Sequence, residues 1–193
     1  MRCDVVLWVG MVLAVPLSGC RGDHQDFTFL HDGELRRYRI YTPSAYDETS
    51  EPLPLVMYLH GGGGQIRSAH VDGLDAYADE LAFILAAPLA TNMEGGVFGR
   101  MWNGGAWAGG SCCGNADDVG FISQMIDRIV SDFRVDTRRV FATGISNGGL
   151  MTNRLGCELS DKIAAIATVA PAAILDQCEP VRPISVLDIH GTG

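Results

Sequence analysis

A serine hydroxyl is a useful nucleophile only when it is exposed, held still and faced by donors for the charge its attack creates. The stretch Val140-Phe141-Ala142-Thr143-Gly144-Ile145-Ser146-Asn147-Gly148-Gly149-Leu150-Met151 has that form. A β-branched and aromatic run meets a tight Gly-x-Ser-x-Gly, and an apolar helix-like run follows. Between a strand and a helix, this pentamer puts its serine at the tip of a strained turn. Gly144 and Gly148 have no Cβ, so strand and helix can approach closely. Asn147 then opens the helix, with its backbone N–H placed to bind a developing oxyanion. The competing reading is a glycine-rich turn that carries an ordinary exposed serine.

A second glycine motif fits the same chemistry. Leu55-Val56-Met57-Tyr58-Leu59 is a continuous apolar run, as expected of a strand buried on both faces. His60-Gly61-Gly62-Gly63-Gly64 follows at once. Consecutive glycines let a backbone turn its N–H groups toward a ligand, and after a central strand such a loop supplies the other half of an oxyanion hole. A flexible linker is the alternative, but linkers do not usually sit between an apolar strand and an amphipathic helix. Residues 89–116 form a long glycine-rich loop that carries Trp102, Asn103 and Trp107. Loops of this length in a compact domain are usually functional or disordered. These three residues are candidates to line a substrate cleft; equally, the tryptophans could cap the core.

Such residues need a scaffold, and the chain spells one out. Runs at 27–30 and 36–41 flank His31-Asp32-Gly33-Glu34, a hairpin signal. Leu35, Tyr38, Ile40 and Tyr41 do not alternate cleanly. Val71, Leu74, Tyr77, Ala78 and Leu81 recur at helical spacing, and residues 83–87 read as the next buried strand. Asp117 is a candidate N-cap with Asp118 in the first turn, and Phe121, Ile122, Met125, Ile126, Ile129, Val130 and Phe133 form a wide apolar stripe. Residues 135–139 read as a polar link, 147–159 as the helix after the serine, and 163–169 and 184–189 as further strands. Alternating strand and helix implies a parallel sheet with crossover helices, with ligands at the carboxyl ends of the strands. The glycine loop, the tryptophan loop, Ser146 and the His190 turn all fall at such ends.

Bulk properties narrow the function classes. The length of 193 residues suggests one domain, and the net charge of −9 without a basic cluster disfavours nucleic acid and polybasic membrane contact. At the amino terminus, Arg2 precedes an apolar run at 5–17, which has the length of a signal-peptide core and is short for a membrane span. It ends in Leu17-Ser18-Gly19-Cys20, which resembles a bacterial lipobox. The resemblance implies a lipoprotein signal peptide over residues 1–19 and lipid attachment at Cys20; an ordinary secretory leader is the alternative. Either route predicts a location outside the cytoplasm, with membrane contact only through a lipid on Cys20. In an oxidising compartment Cys112, Cys113, Cys157 and Cys178 allow three pairings, which the sequence does not choose among. No cysteine or histidine spacing suggests zinc, so neither metal nor cofactor is expected.

Taken together, these residues resemble the polyhydroxybutyrate depolymerase and feruloyl or acetylxylan esterase group of α/β-hydrolases. The likeness rests on Arg39-Ile40-Tyr41-Thr42-Pro43, Leu59-His60-Gly61-Gly62-Gly63-Gly64 and Trp102-Asn103. Cys112-Cys113-Gly114, Asp117-Asp118-Val119-Gly120-Phe121, Gly144-Ile145-Ser146-Asn147-Gly148-Gly149 and His190-Gly191-Thr192 complete it. It implies an α/β class and an α/β-hydrolase fold with a mostly parallel sheet. Ser146 would be the nucleophile, with Gly62 and Asn147 as backbone oxyanion donors. The implied substrate is a polyester, a feruloylated or acetylated polysaccharide, or a small acyl ester. In this fold the triad runs serine, acid, histidine. The group's acid follows a His-Gly-Thr turn such as 190–192, and its histidine comes one strand later. Both partners are therefore expected beyond residue 193, with residues 20–193 forming an incomplete domain that lacks the last strand and helix. His190 reads as a turn residue and His60 as part of the oxyanion loop. A non-catalytic surface lipoprotein that binds polymer or glycan, and a peptidase or thioesterase on the same fold, are the competing functions.

Overall fold

Two residues set the first turn of the fold. Asp32 and Gly33 both adopt positive φ, 50° and 78°, the geometry of a two-residue hairpin turn that follows strand twist. They join β1 (Asp23–His31) to β2 (Glu34–Thr42) in antiparallel register, with Leu30 opposite Leu35. The computed structural model describes residues 22–92, 99–107, 110–111, 116–171 and 178–191. The leader, Cys20, Cys112 and Cys113 lie outside the described residues.

The irregular pattern of β2 has a physical cause. Arg36 takes the inward position that apolar alternation would give to a hydrophobe, and is buried at 4% exposure, whereas Leu35 is 65% exposed. Arg36, Tyr38, Ile40 and Thr42 therefore share one face at the period of two that a strand requires.

The remaining elements largely alternate strand and helix, with two short strands added inside the expected loop at 89–116. They are β3 (Leu53–Leu59), α1 (Ser68–Val71), α2 (Leu74–Leu81), β4 (Ile84–Pro88), β5 (Ala106–Trp107), β6 (Gly110–Ser111), α3 (Asp118–Asp132), β7 (Val135–Ile145), α4 (Asn147–Glu158), β8 (Ala165–Val169) and β9 (Ser185–Ile189). The main sheet has the order β1-β2-β4-β3-β7-β8-β9. Pairs from β4 to β9 are parallel; the two hairpin strands are antiparallel. Strands β5 and β6 form a separate two-stranded ribbon.

Helices cover both faces of the sheet, as parallel strands require. On one face, Ile40, Leu55, Met57 and Leu59 pack with Phe121, Ile122 and Met125 of α3 and Met151 and Leu155 of α4. On the other, Tyr41, Leu85 and Ala87 pack with Ala69 and Ala78 beside α1 and α2. Toward β9 that second face is open among the described residues: Val56, Phe141, Ala165 and Leu187 border an apolar groove of about 390 Å³. Val186 and Ile189 are at least half exposed, at 59% and 50%. Cys157, near the end of α4, is disulfide-bonded to Cys178, with Cα atoms 5.2 Å apart.

Three expectations need correction. The helix at 71–81 is two helices, because Gly73 sits between them at φ 80°. Its stripe is not the buried face: Tyr77 and Leu81 are 56% and 64% exposed, and Ala78 alone of α2 is fully buried. Residues 135–139 are not a link but the start of β7. Pairing with β3 jumps there from Leu53↔Val135 to Leu55↔Val140, and the polar residues bulge out, held by Asp136 accepting from Arg138 N at 3.0 Å and Arg139 Nε at 2.8 Å. By contrast α3 matches its sequence closely, since Asp117 accepts from Gly120 N at 3.0 Å as its N-cap.

Candidate active site

Ser146 is the one residue between β7 and α4, and its backbone is strained. It sits at φ 55°, ψ −120°, a region that non-glycine residues occupy at a cost of about 1–3 kcal/mol. Such strain persists only where the surroundings over-determine it. Here Ser146 N donates to Val169 O at 2.9 Å, and Ser146 O accepts from Leu150 N at 3.0 Å. The residue is exposed at the carboxyl rim of the sheet.

The flanking glycines are enforced by backbone contact. A Cβ on Gly148 would lie 2.1 Å from Leu59 O and 2.5 Å from His60 O. One on Gly144 would lie 2.4 Å from Gly148 O. These neighbours are main-chain atoms of β3, of the residue after it and of α4, and cannot step aside. Gly148→Ala is therefore expected to destabilise the fold by about 3 kcal/mol or more. Urea denaturation measures it, and a loss below about 1 kcal/mol would contradict the close approach.

The glycine loop meets this turn because their strands are neighbours. β3 and β7 are parallel, with Leu59 opposite Gly144, so both chains leave the sheet at the same level. A Cβ built on Gly61 would stand 3.6 Å from Ser146 Cβ and 3.4 Å from Ile145 O. Gly61 to Gly64 and Ile145 line an open groove of about 490 Å³, which also takes in Tyr58, Arg67 and Asp72. Gly62, the expected oxyanion donor, lies in this groove and is exposed.

Trp102 and Asn103 do not line that groove. Trp102 is fully buried, at 0% exposure, and its hydrogen bonds explain why. Its indole Nε1 donates to His60 O at 2.9 Å. Its backbone N donates to Asn147 Oδ1 at 2.7 Å, and its carbonyl accepts from Asn147 Nδ2 at 3.0 Å. The assignment of Trp102 to a substrate cleft is thus corrected: the ring is core, and it ties the glycine loop to the first residue of α4. Asn103 is also a brace. Its N donates to Asp118 Oδ2 at 2.7 Å, its Nδ2 to Ala116 O at 3.0 Å, and its carbonyl accepts from Arg154 at 2.8 Å. Trp107 lies in β5, and its side chain is outside the described residues. Two partners escaped sequence reasoning: the Asn147 amide, read only for its backbone, and buried Asp118, read only as a first-turn charge. Nothing short of the tertiary contact marks either one.

His60 holds the glycine loop from within. Ala90 N donates to His60 Nε2 at 3.1 Å, so that nitrogen is an acceptor and the hydrogen rests on Nδ1, 2.7 Å from Gly61 O. Burial lowers its pKa, although the Gly61 carbonyl pulls the other way. With both nitrogens engaged, the ring is neutral and structural. His190 pairs with Asp188 at 3.2 Å on the surface. Among the described residues no imidazole is hydrogen-bonded to the Ser146 hydroxyl.

Strand order, parallel centre and strained serine turn define an α/β-hydrolase fold. Solved structures agree: the chain is similar to an acetyl xylan esterase from Aspergillus awamori, with TM-score 0.61, 23% identity and coverage of 77% of this chain and 53% of that one. It is similar to a ferulic acid esterase with TM-score 0.59, 18% identity and coverage of 77% and 58%. At such identities the likeness is one of fold. No protein-family model matches the chain. Among curated proteins, it is 45% identical over 94 residues to feruloyl esterase B of Piromyces equi, which is 46% of this chain and 18% of that protein. It is 33% identical over 162 residues to the putative esterase NocK of Nocardia uniformis subsp. tsuyamanensis, 82% of this chain and 45% of NocK. The chain thus spans less than half the length of these two relatives.

Proposed function

We propose that this chain carries the nucleophile and oxyanion hole of a serine esterase. Ser146 Oγ attacks an ester carbonyl, the backbone N–H groups of Asn147 and Gly62 hold the oxyanion, the alcohol departs, and water clears the acyl group from Ser146. The observation that carries this reading is the strained, exposed Ser146 set against the Gly61 turn from the neighbouring strand. The names of the relatives favour feruloylated or acetylated polysaccharide over polyhydroxybutyrate as substrate. His60 is committed to the loop, so it is not the general base of this reading. Export, with lipid on Cys20, completes the proposal and suits a polymeric substrate outside the cell.

The test is covalent labelling with a fluorophosphonate, followed by peptide mapping, on the longest polypeptide the reading frame encodes. Label on Ser146 together with turnover of methyl ferulate or acetylated xylan is expected. Little turnover is expected from residues 1–193 alone. Label on another residue, or none on the longer polypeptide, would overturn the assignment; preference for polyhydroxybutyrate would overturn only the substrate.

A further inference from the structure

Far along the sequence from Ser146, three side chains from three elements converge on one point. His24 lies at the start of β1, His70 in α1 and Asp75 in the first turn of α2. His24 Nε2 is 2.9 Å from Asp75 Oδ2, and His70 Nδ1 contacts that same oxygen. One ligand atom from each lies within 4.8 Å of the others. The two imidazoles meet edge to face, with centroids 5.3 Å apart.

The convergence depends on a break in the helix. Residues five apart on one α-helix point about 140° away from each other. His70 and Asp75 face the same point because Gly73, at φ 80°, ends α1 and starts α2 in a new direction. A Cβ there would meet nothing within 4 Å, so the glycine serves the turn and not a packing need. Asp75 adds a second sign. Its side chain is only 16% exposed, yet its Oδ1 is buried without a hydrogen-bond partner. Arg39, the cation whose charge reaches Asp75, is already held by Asp26 in a two-pronged pair at 2.6 and 2.8 Å.

We propose that His24, His70 and Asp75 form a zinc site. Two imidazoles and a carboxylate are a donor set suited to this borderline ion, with water completing a tetrahedron. Ligand atoms on tetrahedral zinc stand about 3.4 Å apart, so the two imidazole–carboxylate contacts, that of His24 now at 2.9 Å, open by side-chain rotation to admit the ion. Each ring nitrogen that now points its N–H at Oδ2 becomes a ligand once that hydrogen moves to the other ring nitrogen: His24 binds through Nε2 and His70 through Nδ1. Bound zinc pins the first strand to the two helices that follow the glycine loop. The site is independent of ester chemistry and concerns stability of that side of the fold.

The test uses the full chain, stripped with chelator and titrated with zinc chloride. One zinc per chain is expected, with a rise in Tm of about 5–10 °C at a hundredfold excess over Kd. His24→Gln, His70→Gln and Asp75→Asn are each expected to weaken binding about tenfold or more, whereas His190→Gln, which alters another exposed His–Asp pair, leaves it unchanged. Cobalt in place of zinc should give tetrahedral visible bands on the unaltered chain, a readout that survives if a variant fails to fold. Absence of those bands, no zinc retained, or binding untouched by the three substitutions would overturn the proposal and leave a hydrogen-bonded latch.

Discussion

Ser146→Ala is expected to lower kcat for aryl esters about 10⁶-fold in the polypeptide that includes the general base, with KM nearly unchanged. The hydroxyl is the only group lost, and on the proposed mechanism the neighbouring amides would still bind the carbonyl. A residual rate of about 10³–10⁴ over water is therefore expected from the oxyanion hole alone. The fold should not notice, because alanine keeps the Cβ and hence the strain of φ 55°. Ser146→Gly separates the two consequences. It is equally inactive, but it relieves about 1–3 kcal/mol of backbone strain against about 0.5–1 kcal/mol of added chain entropy. It should raise stability by about 1 kcal/mol in urea denaturation. Retention of more than about 1% of turnover by the alanine variant would remove Ser146 from the chemistry. A glycine variant less stable than the parent would mean that the turn stores no strain.

How much of this was legible before the structure depends on the range of the interaction. The serine turn, the glycine loop and α3 were readable because their signals are local: Gly144 and Gly148 flank Ser146, and Asp117 caps a regular apolar stripe. The alternation of strands and helices likewise set the parallel sheet and the rim where these turns meet. Trp102 was misplaced because an aromatic residue in a glycine-rich loop looks exposed. Only the bonds to His60 O and Asn147 show it to be core. The disordered alternation of β2 hid Arg36 for a similar reason: a buried arginine is tolerated only beside its carboxylate, and Asp118 lies 82 residues away. The disulfide Cys157–Cys178 and the cluster of His24, His70 and Asp75 are long-range in the same sense. Spacing in the chain carries no trace of them.

That buried pair carries the largest expected change in stability. Arg36 Nη2 donates to Asp118 Oδ1 at 2.5 Å, with the side chains 4% and 0% exposed. The guanidinium also lies 3.9 Å over the Phe121 ring. Asp118→Ala would strand this cation in the core at a cost of about 3–5 kcal/mol. It would also release Asn103 N, which donates to Asp118 Oδ2 at 2.7 Å. Replacing both partners by apolar residues, Arg36→Met with Asp118→Leu, removes the stranded charge and should recover most of the loss. It does not restore the hold on Asn103. That residue precedes nothing catalytic, but it follows Trp102, whose bonds join the His60 carbonyl to Asn147. The double variant should therefore regain its urea midpoint while Ser146 in the longer polypeptide is still labelled more slowly than in the parent. Recovery of both would confine Asp118 to neutralising Arg36; recovery of neither would mean that the pair itself, and not the stranded charge, stabilises this corner of the fold.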